Sequence, residues 1–179
     1  MEDFTGRIDS SWTLFLDRDG VINERIMGGY VTDPKGFHFL PGVPEAIASF
    51  SKRFGKIIIV TNQQGIGKGL MTTEHVQTLH EYMLQKIEEQ GGRVDAIYFC
   101  PDLKTKPDNC RKPGIYMALQ AQSDFPEIDF SKSIMVGDSV TDMEFGRKAG
   151  MFTVYAGLEQ TIEADAVVSG LKALAAIIH

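Results

Sequence analysis

The chain has 179 residues, 43% of them apolar and 23% charged, which is ordinary globular usage and fits a single domain. Eighteen basic against twenty-four acidic side chains leave a net charge of −6, which argues against duplex nucleic acid and anionic membranes as partners. No apolar run approaches the ~18 residues of a membrane helix, no export signal is evident at the start, and two cysteines do not make a disulfide framework. A cytoplasmic monomer is the default expectation, with residues 1–11 as a leader and 12–179 as one domain.

Thr13-Leu-Phe-Leu16 is the first short apolar run, and it stops at Asp17-Arg18-Asp19-Gly20-Val21. In an extended segment, carboxylates at i and i+2 point to the same side. Two like charges that close need a cation or a shared proton. A long connection over about 23–43 follows, then a helix expected from Pro44 to Phe54, which opens with Pro and Glu.

Ile57-Ile-Ile-Val60 is a β-branched run suited to a strand buried on both faces. It ends in Thr61-Asn62-Gln63-Gln64, whose hydroxyl, amides and backbone N–H groups suit phosphate oxygens. From Thr73 to Gln90, Val76, Leu79, Met83 and Ile87 form one helical stripe that Gly91-Gly92 ends.

The strand-like run Ala96–Phe99 leads into a second long connection, Cys100 to Lys112, which closes on Arg111-Lys112-Pro113. A helix is expected from Pro113 to Phe125. Ile134–Val136 then ends in Gly137-Asp138-Ser139, with Asp142 four residues beyond Asp138 and on the same face of a helix over 139–149. Two further strands, Phe152–Tyr155 and Ala166–Val168, and a helix over 170–178 complete the chain.

This β-α alternation predicts an α/β fold: three layers, with a doubly wound, Rossmann-like parallel sheet between helices. Ligands of such sheets sit beyond the carboxyl ends of the strands. Alone, Asp-x-Asp-Gly reads as a turn, Thr-Asn-Gln as a loop, Gly-Asp-Ser as a helix cap and Arg-Lys as a solvated pair. In this order, each at a strand end or a helix start, they describe a hard-cation and phosphate site.

The same residues resemble the four motifs of the haloacid dehalogenase superfamily of phosphohydrolases: Asp17-Arg-Asp19-Gly-Val, Thr61, Lys112, and Gly137-Asp138-Ser-Val-Thr-Asp142. Gly29-Tyr-Val31, Phe39-Leu-Pro-Gly-Val43, Thr61-Asn-Gln-Gln-Gly-Ile66 and Cys110-Arg-Lys-Pro113 narrow the resemblance to the capless subgroup of heptose-bisphosphate and histidinol-phosphate phosphatases. Gly65-Ile-Gly-Lys-Gly69 and the Gly-Tyr-Val phrase favour the heptose branch.

The resemblance implies a fold without a large cap domain. It also implies removal of the 7-phosphate of D-glycero-D-manno-heptose 1,7-bisphosphate, in the supply of nucleotide-activated heptose. Histidinol phosphate or another small phosphate ester is the alternative substrate. Asp17 would be the nucleophile, Asp19 the general acid and base, and Thr61 and Lys112 the holders of the phosphoryl oxygens. Mg²⁺ would be held by Asp17, the backbone carbonyl of Asp19 and Asp138, with Asp142 orienting Lys112 or a metal-bound water. Arg25, Ile26, Met27 and Gly28, with Asn62, Gln63, Gln64, Arg111 and Ser139, would contact a small phosphorylated sugar. A receiver-like switch has no use for Asp19, and a scaffold has none for a complete set of catalytic positions.

The subgroup often carries zinc on Cys-x-His and Cys-x-Cys ahead of Arg-Lys-Pro. Here Asp102 and Asp108 replace two of those ligands, leaving Cys100 and Cys110. Zinc is therefore expected to be absent, and a Cys100–Cys110 disulfide is not expected in a cytoplasmic protein. The loop would be held by its prolines, by packing, or by Lys104 and Lys106. His38, His75, His80 and His179 are expected to have no part in the chemistry.

Overall fold

The computed structural model describes residues 5–159 and 161–178. Six strands form one sheet: β1 (Thr13–Leu16), β2 (Lys56–Asn62), β3 (Ala96–Cys100), β4 (Ser133–Gly137), β5 (Phe152–Ala156) and β6 (Ala166–Val168). The order is β3-β2-β1-β4-β5-β6, and every pairing is parallel. The helices are α1 (Val43–Phe50), α2 (Thr73–Glu89), α3 (Tyr116–Asp124), α4 (Val140–Ala149) and α5 (Leu171–Ile177). Among the described residues there is no insert the size of a cap domain.

Side-chain alternation along the strands builds two apolar layers. Leu14, Leu16, Ile57, Ile59, Ile134 and Val136 share one with Ala46 and Phe50 of α1, Val76 and Leu79 of α2, and Leu174 of α5. Phe15, Ile58, Val60 and Met135 share the other with Met117 and Ala118 of α3 and Phe145 of α4. Each buried aliphatic or aromatic side chain contributes roughly 1.5–3 kcal/mol, so the central strands anchor the fold. β1 and β4 lie side by side, with Leu16 opposite Val136. The chain winds outward in opposite directions from that pair, which makes the gap beyond their carboxyl ends the topological switch point.

Several expected boundaries move, and the helix expected over Pro44–Phe54 ends at Phe50. The helix read from Pro113 begins at Tyr116, because the Gly114 N–H donates to Arg111 O and closes a turn first, and Ile115 offers no side-chain cap. Within the expected leader, Ile8 is buried in the larger apolar layer; residues 1–4 lie outside the described residues, as does His179. The 23–43 connection is also packed, with Val31 and Phe37 in that layer and the Phe37 ring edge-on to Tyr82 of α2. Among the described residues, no helix is long and apolar enough to cross a membrane.

Candidate active site

Asp17 stands one residue beyond β1, held in line by its N–H donating to Val136 O of β4. Asp138 stands one residue beyond β4. Their carboxylates, with that of Asp142, offer oxygens within 4.8 Å of one another. Gly20 makes this approach possible. Its φ is +91°, and a Cβ there would lie 1.9 Å from Asp138 Oδ2.

Lys112 crosses beneath the acids. Its Nζ donates to Asp17 Oδ1 at 2.8 Å and Val60 O at 2.8 Å, and lies 2.6 Å from Asp142 Oδ1. Asn62 ties this loop to the end of β2, donating to Lys112 O and accepting the Lys112 N–H. Asp142 caps α4 reciprocally with Ser139, whose N–H and hydroxyl both reach Asp142 Oδ2. With one oxygen on Lys112 and the other on Ser139, Asp142 is arranged to orient the lysine. The sequence reading of Arg111-Lys112 as a solvated pair, one alternative for that fragment, does not hold for Lys112, which is buried.

The Asp19 carboxylate turns away from this cluster. Oδ1 accepts from Arg18 Nη2 at 2.8 Å and Asn23 Nδ2 at 2.9 Å, and Oδ2 accepts from Gln63 Nε2 at 2.9 Å. Gln63 Nε2 also donates to Thr61 Oγ1, linking the two strand ends. Arg18, fully buried, is held from behind by His80 Nε2 on α2 at 3.3 Å. Sequence reasoning missed both Arg18 and His80. The pairing joins residues 62 positions apart, which periodicity along the chain does not show.

Burial shapes the electrostatics. It pushes the Asp17 carboxyl up to about 7, with the Asp142 and Asp138 charges adding and Lys112 opposing. Burial likewise lifts Asp138 to about 6, with Asp142 adding, against Arg25 and Lys112. Burial also pushes Asp19 up, but the Arg18 charge and the bonds from Arg18, Asn23 and Gln63 outweigh it and hold Asp19 below its ordinary value. Lys112 feels the same burial and is nevertheless held above its ordinary value by Asp142 and Asp17.

Does this set fit a hard divalent cation? The donors are carboxylate and carbonyl oxygens, the chemistry Mg²⁺ takes. Two of the carboxylates are lifted by repulsion and burial, which a cation would relieve. A cationic group also already sits against them, since Arg25 Nη2 lies 2.8 Å from Asp138 Oδ1 and 3.1 Å from Asp19 O. The residues fit.

A cavity of about 430 Å³ opens over the site, lined by Asp17, Asp19, Thr61, Asn62, Gln63, Gln64, Lys112 and Asp142. Arg25, Ile26, Gly28, Arg111 and Ser139 also line it, together with Tyr30 of the Gly29-Tyr-Val31 phrase and with Lys68. Lys68 belongs to the Gly65–Gly69 phrase, so its signal lay in a motif whose side chain was not assigned. Met27 is 87% exposed and outside the cavity lining, within the turn closed by Gly29 N–H to Ile26 O.

The 100–112 loop brings a correction. Cys100 and Cys110 form a disulfide with Cα atoms 5.5 Å apart, against the expectation of free thiols. The end of β3 and the chain entering Arg111 are close enough to be bridged. Asp102 joins the two cysteines, accepting from the Cys110 N–H and pairing with Lys106 at 2.7 Å. Asp108 is exposed and does not join that group.

A family model for HAD-hydrolase-like proteins matches residues 109–172. D-glycero-alpha-D-manno-heptose-1,7-bisphosphate 7-phosphatase from Mycobacterium tuberculosis is 37% identical over 138 residues, 77% of this chain and 73% of that protein. D-glycero-beta-D-manno-heptose-1,7-bisphosphate 7-phosphatase from Vibrio cholerae is 40% identical over 148 residues, 78% of this chain and 77% of that protein. The chain belongs to the heptose-bisphosphate phosphatase family of HAD-like hydrolases. D,D-heptose 1,7-bisphosphate phosphatase from B. bronchiseptica, solved with magnesium and phosphate, superposes on this family member with a TM-score of 0.80. It is 28% identical, with 92% of this chain and 96% of that one covered.

Proposed function

We propose that the protein is a Mg²⁺-dependent phosphatase that removes the 7-phosphate of D-glycero-D-manno-heptose 1,7-bisphosphate. The observation that carries this reading is one cavity lined by Asp17, Asp19, Asp142 and Lys112 and also by Arg25, Lys68 and Arg111. A phosphate beside Asp17 and Lys112 and a second one among Arg25, Lys68 and Arg111 would use both groups. The relatives' names support the same substrate, and a cytoplasmic setting suits a phosphorylated sugar.

A carboxylate oxygen of Asp17 attacks the phosphorus in line, and the bond to the sugar oxygen breaks, leaving an aspartyl-phosphate. Asp19 protonates the departing oxygen, then takes the proton from the water that hydrolyses the intermediate. The anionic phosphate beside it raises the tendency of Asp19 to hold that proton, against Arg18. Thr61 Oγ1 and Lys112 Nζ hold the phosphoryl oxygens, with Gln63 and Asp142 fixing them in place beforehand. Mg²⁺, held by Asp17, the Asp19 carbonyl and Asp138, would neutralise charge between nucleophile and phosphate. Arg111 and Lys68 read the second phosphate, the guanidinium through paired N–H groups.

Phosphate release tests this, comparing both anomers of heptose 1,7-bisphosphate with histidinol phosphate, with Mg²⁺ and with EDTA. A strong Mg²⁺-dependent preference for a bisphosphate is expected. Turnover of histidinol phosphate alone would overturn the substrate, and retained turnover in Asp17→Asn would overturn the nucleophile.

A further inference from the structure

Three oxygens from three separate places in the chain face one guanidinium. Arg25 Nη2 lies 2.8 Å from Asp138 Oδ1, 3.1 Å from the carbonyl oxygen of Asp19 and 3.9 Å from Asp17 Oδ2. Asp17 ends β1, Asp19 lies in the turn after it, and Asp138 follows β4, so the convergence is a product of the fold. Lys112 takes the other oxygen of Asp17, which leaves Oδ2 to this side of the site.

Arg25 rides on a segment unlike its surroundings. Residues 24–29 are all exposed, whereas Asn23 before them and Val31 shortly after are buried. Asn23 is pinned by its amide to Asp19 and to Glu24 O. Gly28 takes φ +72°, and a Cβ built on it would meet nothing within 4 Å. Arg25 thus stands on an exposed segment beside the cavity that it lines.

We propose that Arg25 is a built-in counter-ion at the divalent-cation site: its guanidinium occupies the three ligand oxygens until the metal ion arrives, and displacement sends it into the cavity to bind the second phosphate of the substrate. Two cations do not share these oxygens. A guanidinium and a divalent cation held against the same oxygens repel, so metal and Arg25 exchange. Without the metal, Arg25 offsets charge in an acid cluster for which Lys112 supplies one cation. With it, a phosphate among Arg111 and Lys68 captures the released arm. By linkage, a ligand that captures Arg25 strengthens metal binding by the same factor as the metal strengthens binding of that ligand. Only this second half of the exchange rests on the bisphosphate reading.

The test is a calorimetric Mg²⁺ titration of the full chain without substrate, in wild type, Arg25→Met and Lys68→Met. Lys68 lines the same cavity, over the ring of Tyr30, but makes none of the three contacts, so its removal reports the loss of a nearby charge alone. Arg25→Met should bind Mg²⁺ about tenfold more tightly than wild type, a change of about 1.4 kcal/mol, while Lys68→Met stays within about twofold. Equal tightening in both variants, or none in Arg25→Met, would overturn the exchange. Because no substrate is present, failure of the heptose-bisphosphate reading would leave this result untouched.

Discussion

Lys112 Nζ and Asp17 Oδ1 are 2.8 Å apart with both side chains buried, and the same ammonium is 2.6 Å from Asp142 Oδ1. One cation thus serves two carboxylates, one just beyond β1 and one in the first turn of α4. Its removal leaves charge in a place where water does not screen it. Lys112→Met should lower stability by about 3–5 kcal/mol in urea unfolding at pH 7.5, along with loss of turnover. A loss below about 1 kcal/mol would place the lysine among the weakly coupled surface pairs.

Asp19 presents its carbonyl to the cation side of the site and its carboxylate to Arg18, Asn23 and Gln63. The two functions separate in Asp19→Asn. Mg²⁺ affinity should stay within about twofold, since a carbonyl ligand is indifferent to the side chain, while kcat falls by about 10²–10⁴, the usual contribution of a positioned acid or base. Affinity lost together with kcat would make the carboxylate a ligand.

Gly20 carries a different burden. At φ +91°, with a Cβ position 1.9 Å from Asp138 Oδ2, it leaves no room for a side chain. Gly20→Ala should displace Asp138, weakening Mg²⁺ binding by about tenfold or more and destabilising the fold by about 1–3 kcal/mol. Calorimetric titration and thermal melts read the two effects. An unchanged Mg²⁺ affinity would show that Asp138 is not placed by this contact.

His80 gives a pH signature away from the acids. Burial pushes its pKa from the ordinary 6.5 down to about 3, with the Arg18 charge adding and Asp19 opposing. Between those values the unfolded chain takes up a proton that the folded one does not. This contribution is therefore fully present above pH 6.5 and is lost as the pH falls toward 3. Between pH 7.5 and 5, wild type should lose about 2 kcal/mol more stability than His80→Gln, measured by urea unfolding at both values. Parallel losses would show that His80 does not stay neutral in the fold.

Much of this architecture is legible along the chain because its signals are local. Ile57–Val60 is apolar on both faces and becomes a central strand. Val76, Leu79, Met83 and Ile87 fall on one helical stripe and are buried. Asp17 and Asp138 each follow a strand that pairs with the other, so their meeting follows from the parallel sheet. Other features depend on neighbours distant in sequence, to which periodicity is blind. His80 is an ordinary helical residue until α2 lays it against Arg18, 62 positions away. Cys100 and Cys110 are two isolated thiols until the loop folds back and joins them.

The sequence by itself determined the α/β layering and the strand-end placement of the acids, since each rests on residue type and spacing. Only the tertiary structure decided which way each charge faces. Asp19 turns to Arg18 and Gln63, Asp142 to Lys112, and Arg25 reaches across 113 positions to Asp138. Those choices follow from desolvation: a buried charge must find an opposite charge or a hydrogen bond, and which one lies within reach is set by packing.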